Sequence, residues 1–319
     1  MPKQIKIGHI GCGYWGKNII RTLHNMNFLA GVADTSEESI QNIKTEISES
    51  IQSLNPEEII ACKEIQAITL ATPAETHFEL GMQVLNSGKH LYVEKPLTLN
   101  FEEAKTMTDF ANKKNLILQV GHLMIYHPAF RLLKKFIKEK FFGNIIYISS
   151  NRLKWGKARD YENVTWSFAP HDISMISFLL DSNLKLEKYY SKKLTPGTED
   201  TSHIFLSSEE GINCHIYCSW LSPFKEFKFC IVGTEHSATY TDGDDHINIY
   251  ETELNLDRSK WNAPNSKRFD IDNSILPLNE ALNDFVKSCQ NSTQPMASSL
   301  NGLEVVKLLE ETNYKNDEN

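Results

Sequence analysis

Residues 5–16 read IKIGHIGCGYWG, and what this stretch becomes decides the fold. The β-branched apolar run Ile5–Ile10 predicts a strand, and a helical pattern takes over from Tyr14 to about Met26. Between them Gly11, Gly13 and Gly16 keep the spacing G-x-G-x-x-G. Such glycines permit a tight turn, let the backbone approach a pyrophosphate and let helix pack close to strand. The helix N-terminus then offers N–H donors and positive potential to phosphates. Gly11, Cys12, Gly13, Tyr14 and Trp15 are therefore the expected cofactor loop. The next strand, Phe28–Ala33, ends in Asp34, 18 residues beyond Gly16, where a carboxylate accepts from ribose hydroxyls. Thr35, Ser36, Glu37 and Glu38 follow, with no base before Lys44. A 2′-phosphate would be repelled there, so NAD is expected over NADP.

The same alternation runs outward from this motif. Ile65–Ala71, His90–Val93 and Leu116–Val120 read as strands, Glu75–Ser87 and Phe101–Lys113 as helices. Strand and helix taking turns predict an α/β domain over residues 1–121, a doubly wound parallel sheet. Ligands of such sheets bind outside the carboxyl ends of the strands. Thr72, Pro73 and His77 follow the third strand, and Glu94-Lys95-Pro96 stops the fourth. All are expected near the dinucleotide, with Lys95 facing the nicotinamide; for His77, a surface helix-start residue is the competing reading.

Beyond Gly121 the character changes. A helix over Ala129–Glu139 is followed by period-two runs at 145–150, 203–208, 212–220, 227–233, 238–241 and 246–251, with the DGDD at 242–245 as a turn. Strands without helices between them predict an α+β domain with a large, mostly antiparallel sheet over residues 122–319. Helices over about 278–311 are expected to pack back on the first domain. Within the second domain, Pro170 suits a first helical turn and places His171 near a helix N-terminus, which would keep its imidazole neutral; a capping histidine is the competing reading.

Composition excludes several classes. The 319 residues carry a net charge of −8, which disfavours nucleic acid or an anionic membrane as main partner. No apolar run approaches a membrane span, and the first residues enter a strand at once, so a cytoplasmic location is expected. The six cysteines are expected as reduced thiols. Cys214 and Cys218 flank His215, but strand alternation puts them on the opposite face, so no metal site is expected.

GCGYWG, TPAETH, EKPL, GHLMIYHP (121–128) and APHDIS together resemble the Gfo/Idh/MocA family of NAD(P)-dependent oxidoreductases, in order and spacing along nearly the whole chain. The segment 151–175, NRLKWGKARDYENVTWSFAPHDISM, is similar to sugar-nucleotide 3-dehydrogenases of that family. The resemblance implies Lys95 and His171 as the catalytic pair and Trp166 as a further cofactor contact. It implies oxidation of the 3-hydroxyl of UDP-N-acetylglucosamine, the ketone passing to an aminotransferase on the way to lipid A amino sugars, in a homo-oligomeric enzyme, dimer or tetramer. A uronate substrate, an inositol- or glucose-type substrate and a non-catalytic NAD-sensing role are the alternatives. The sugar nucleotide would meet Tyr126, Asn151, Lys95 and His171, with Arg152 and Arg159 on its diphosphate and Tyr161 or Trp155 on the base. A solvated basic loop is the competing reading of 152–159. Family members often carry Asp four residues before the histidine; Ser167 stands there in this chain.

Overall fold

The computed structural model describes residues 5–47, 52–156, 162–251 and 265–314. Two compact units emerge: Met1–Leu123 with Leu276–Val306, and Met124–Ile275 with Lys307–Asn319.

In the first unit the glycine turn joins β1 (Ile7–Ile10) to α1 (Gly16–Asn25). There follow β2 (Leu29–Ala33), α2 (Glu37–Lys44), β3 (Gln52–Leu54), α3 (Pro56–Ala61), β4 (Ala67–Leu70), α4 (His77–Asn86), β5 (His90–Val93), α5 (Phe101–Lys113) and β6 (Leu118–Val120). Among the described residues these strands form one parallel sheet of order β3-β2-β1-β4-β5-β6. The strands β1 and β4 are buried throughout, as expected of strands covered on both faces. Side-chain caps start the helices: Ser36 for α2, Asn100 for α5, and Asn55 with Glu58 as a capping box for α3. The short pair β3 and α3 escaped the sequence pattern, because three residues of strand carry too little periodicity to register.

The C-terminal stretch forms two helices, α8 (Pro277–Asn291) and α9 (Ser299–Thr312). Residues of α8 complete the core of the first unit. Phe285 meets Tyr92 edge-on at 5.9 Å, and Gln119 Nε2 donates to the Ala281 carbonyl at 2.9 Å.

The second unit opens with α6 (Pro128–Lys138), then β7 (Ile145–Trp155) and α7 (Val164–Leu180). The strands β8 (Leu184–Lys192), β9 (Thr201–Ser208), β10 (Asn213–Ser219), β11 (Leu221–Gly233), β12 (His236–Thr241), β13 (His246–Glu251) and β14 (Ser266–Asp270) follow. Their order is β14-β13-β12-β11-β7-β10-β9-β8, antiparallel except where β7 meets β10. Cys214 and Cys218 are core, while His215 lies on the opposite face, stacked between His203 and Phe205. The strands β8 and β14 went unread: three lysines, Glu187 and Tyr190 take the outward positions of the first, and the second is five largely exposed residues.

The helix α7 corrects one expectation. Pro170 is not in its first turn, for the helix begins at Val164, and Asn163 caps it by accepting from the Trp166 N–H at 3.0 Å. Proline is tolerated inside at the loss of one intrahelical bond. His171 therefore lies two turns in, and a helix N-terminus does not act on it. At the other end Lys134 donates to the carbonyls of Phe178 and Leu179 at 2.6 and 3.0 Å and pairs with Asp181, so a cation closes the negative end of the helix.

Candidate active site

Because the first sheet is parallel, the loops after β1, β2, β4, β5 and β6 all leave from one edge, with the change of strand order falling between β1 and β4. The glycine turn is built into that edge. Gly11 has φ +105°, and a Cβ there would lie 2.5 Å from the Ala71 carbonyl oxygen. A Cβ on Gly16 would collide with the Gly11 carbonyl, so α1 can cross β1 this closely only with glycine. Gly13 differs: open space lies over it. No side chain caps α1 and its first turn holds no acidic residue, which leaves the position suited to a pyrophosphate.

Asp34 ends β2 and braces the loop. Its Oδ2 accepts from the Cys12 N–H at 2.5 Å and its Oδ1 from the Ser36 N–H at 2.8 Å. A carboxylate has about four acceptor sites, so capacity remains for ribose hydroxyls. Thr35 is exposed beside it, Tyr14 is 93% exposed, and Cys12 is buried in the turn. These residues fit a dinucleotide.

Sequence reasoning passed over His9. It is fully buried under the loop, its Nε2 2.8 Å from the Gly11 carbonyl and its Nδ1 2.7 Å from Thr69 Oγ1. The carbonyl can only accept, so the proton sits on Nε2 and Nδ1 accepts from the threonine. Burial pushes the imidazole down to about 4.

His77 lies neither on the surface nor toward an open edge. It is buried, with Nδ1 2.8 Å from the Pro96 carbonyl and Nε2 3.0 Å from the Thr72 carbonyl. It ties the loop after β4 to the Lys95–Pro96 turn. Thr72 is further held by Thr76, their hydroxyls 2.6 Å apart, and Pro73 is exposed.

Glu94 and Trp15 find each other. The indole Nε1 donates to Glu94 Oε1 at 2.7 Å, joining the glycine loop to the end of β5. Gly121 makes room, since a Cβ there would lie 2.7 Å from that same oxygen. Burial raises the Glu94 carboxyl to about 7, against the opposing pull of Trp15 and Lys95. Lys95 follows, half-buried, joined to Pro96 by a cis peptide. His122, 1% exposed, is pushed down to about 3 by burial and by the Lys95 charge.

These shifts predict a pH profile. His9 and His122 are neutral in the fold but protonate near 6.5 when unfolded, so stability is full above 6.5 and falls as pH drops toward 4 and then 3. At 1.36 kcal/mol per unit, these groups forfeit at most about 3 and about 5 kcal/mol. Glu94 acts oppositely, losing stability as pH rises from 4.5 through about 7. Thermal melts of Glu94→Gln should therefore show a gain of up to about 3 kcal/mol at pH 8 and none at pH 4; equal gains at both would refute the burial shift.

In the second unit the expected residues are dispersed among other duties. Ser150 and Arg152 share one face of β7 by period two, and both reach Asp172 on α7. The Arg152 Nε donates to Asp172 Oδ2 at 2.6 Å, its Nη2 to Oδ1 at 3.2 Å, and Ser150 Oγ to Oδ1 at 2.6 Å. The guanidinium lies 4.0 Å from the centre of the Phe227 ring, its cross-strand partner. The expected phosphate fork is thus committed inside the unit. Asn151 donates to Glu226 at 2.8 Å, and Tyr126 is buried in a 3-10 turn. Trp166 and His171 are half-buried on α7. Trp155 is 72% exposed at the end of β7, not in a loop. Arg159 and Tyr161 lie outside the described residues.

Among the described residues no group of three or more His, Cys, Asp and Glu is arranged to hold a metal, and no helix is long and apolar enough to cross a membrane.

Residues 5–122 match the model of the oxidoreductase family with an NAD-binding Rossmann fold, and residues 130–239 match the Gfo/Idh/MocA C-terminal domain. The chain is 28% identical over 181 residues to UDP-N-acetylglucosamine 3-dehydrogenase of Acidithiobacillus ferrooxidans, covering 55% of this chain and 54% of that one. It thus spans about half the length of that relative. With scyllo-inositol 2-dehydrogenase (NAD(+)) of Bacillus subtilis it shares 23% over 253 residues, 74% of each chain. The solved Acidithiobacillus ferrooxidans enzyme superposes with a TM-score of 0.86 at 20% identity, over 98% of this chain and 97% of that one. Levoglucosan dehydrogenase with NADH and L-sorbose gives a TM-score of 0.85 at 18% identity, over 98% and 97%. With the glycine turn, the Asp34 brace and the Glu94–Lys95 strand end in place, the chain is a member of the Gfo/Idh/MocA family of NAD-binding oxidoreductases.

Proposed function

We propose that this oxidoreductase is a sugar-nucleotide 3-dehydrogenase, taking UDP-N-acetylglucosamine to its 3-keto form with NAD. The observation that carries the reaction class is the edge at β5, where Lys95 stands beside a glycine turn braced by Asp34, His9 and Glu94. The similarity to the Acidithiobacillus ferrooxidans enzyme supports the substrate. When bound, NAD supplies the hydride acceptor. The chain's own residues handle the proton. Lys95 donates to the 3-oxygen as negative charge develops there, and His171 accepts the hydroxyl proton. The alcohol loses one hydride and one proton and becomes a ketone.

With Arg152 engaged by Asp172, the exposed Lys154 is the described cation of the 151–156 strand end that suits the diphosphate. A ketone of this kind is unfavourable to accumulate, which fits consumption by an aminotransferase in a cytoplasmic setting. NADH formation from NAD and UDP-N-acetylglucosamine, with a carbonyl trap to pull the equilibrium, tests the proposal. Turnover on the uronate or on free inositol alone would move the substrate; NAD binding without turnover on any of them would overturn the enzyme reading.

A further inference from the structure

Among the described residues of the first unit three histidines are buried, and two of them spend both ring nitrogens. His9 bonds the Gly11 carbonyl and Thr69, and His77 bonds the carbonyls of Thr72 and Pro96. His122 is the exception. It is 1% exposed, and among the described residues neither its Nδ1 nor its Nε2 has a hydrogen-bond partner. A buried polar atom left unpaired forfeits its hydration with nothing in return, and this ring holds two. An apolar ring would fill the same place without that loss. A side chain kept at a cost to stability points to a task in the filled site.

The backbone fixes where His122 stands. The strands β5 and β6 pair in parallel with Val93 opposite Val120, and the Gly121 N–H donates to the Val93 carbonyl at 2.8 Å. Lys95 and His122 each follow two residues later, on neighbouring strand ends. A tight turn then leads the chain off the sheet. The His122 N–H donates to the Val120 carbonyl at 2.7 Å, and the Leu123 N–H to the Gly121 carbonyl at 3.0 Å. Burial keeps the ring neutral, and the Lys95 charge adds to it. A neutral imidazole offers one N–H and one lone pair.

Strand order says which part of a dinucleotide lies there. The strand β2 carries Asp34 for the adenosine ribose and β1 the glycine turn for the pyrophosphate, so the other half of the cofactor runs over β4 toward β5 and β6. That half ends in a nicotinamide, whose carboxamide carries a carbonyl acceptor and an N–H donor. We infer that His122 binds the nicotinamide carboxamide of NAD, through a ring nitrogen that no other described residue engages. Other polar side chains of this edge already hold one another or the backbone: Thr72 with Thr76, Glu94 with Trp15, His77 with two carbonyls. The charge state suits the task as well. The nicotinamide ring of NAD is cationic, and an imidazolium beside Lys95 would repel it, whereas a neutral imidazole does not. The inference rests on NAD binding alone and holds whichever substrate the enzyme takes.

The test compares NAD with ADP-ribose, which keeps the adenosine, the pyrophosphate and the second ribose and lacks only the nicotinamide. In calorimetric titration of the full-length chain, His122→Phe should raise the Kd for NAD about three- to tenfold, the usual share of one hydrogen bond. Its Kd for ADP-ribose should be unchanged. His122→Gln, which keeps a donor and an acceptor, should recover part of the NAD affinity. An unchanged Kd for NAD in His122→Phe, or equal weakening toward both ligands, overturns the inference. NMR of the histidine ring nitrogens in the wild-type chain gives a second answer that no variant's packing can disturb, the His122 signals being those absent from His122→Gln. NAD should shift them and ADP-ribose should not; a shift with both ligands, or with neither, overturns the inference too. Neither measurement needs a sugar, so a failed dehydrogenase reading appears as absent turnover and leaves this answer standing.

Discussion

Replacing Lys95 by Ala should lower kcat by about 10²–10⁴-fold, the usual contribution of one placed acid–base or charge-stabilising group. At 1.36 kcal/mol per tenfold, that is about 3–5 kcal/mol of transition-state stabilisation. NAD affinity should change little. The glycine turn is held by His9, Asp34 and the Trp15–Glu94 bond, and none of these uses the Lys95 side chain. A second readout comes free: burial depresses both His77 and His122 and the Lys95 charge adds to it, so both should titrate at somewhat higher pH in the variant. Lys95→Arg keeps the charge but presents a planar fork where a compact ammonium stood, and should recover only part of the rate. Unchanged kcat in Lys95→Ala with the proposed substrate would remove the residue from the reaction.

Much of this was legible because the first unit obeys local rules. A parallel strand buried on both faces reads as an uninterrupted apolar run, and each run ends where a polar or glycine residue is needed, at Gly11, Asp34, Thr72 and Glu94. The edge could therefore be assembled from sequence. The bonds across that edge could not. Trp15 and Glu94 lie 79 residues apart, and either alone reads as a cofactor contact. His77 reads as a helix-start polar residue on the surface and His9 went unread, yet His77 joins two loops and His9 joins the glycine turn to β4, because a buried ring with two polar atoms must spend both. In the second unit the error was one of period. Taking 152–159 as a loop gave Arg152 to solvent and ligand, whereas β7 running on to Trp155 turns it inward beside Ser150. Pro170 misled for a similar reason, since its fitness for a first turn outweighed the better cap at Asn163.

The Arg152–Asp172 pair carries the largest expected effect on stability. Asp172 is fully buried and the Arg152 side chain is 18% exposed, so each charge depends on the other and on Ser150. Asp172→Ala leaves a guanidinium between β7 and α7 with only the Phe227 ring beneath it, and should cost about 3–5 kcal/mol. For a unit of this size that lowers the melting temperature by roughly 8–16 °C. Arg152→Ala should be as severe, since it strands the carboxylate. Replacing both, as Arg152→Met with Asp172→Leu, removes the desolvation cost together with the attraction and should be near neutral. That double variant separates two roles for the arginine. If its fork served the diphosphate, the variant would fold normally yet lose the sugar nucleotide, with KM rising at least tenfold. Because two of its donors are already committed to Asp172, KM should stay within a few-fold. A stable double variant with a large rise in KM would return Arg152 to the substrate.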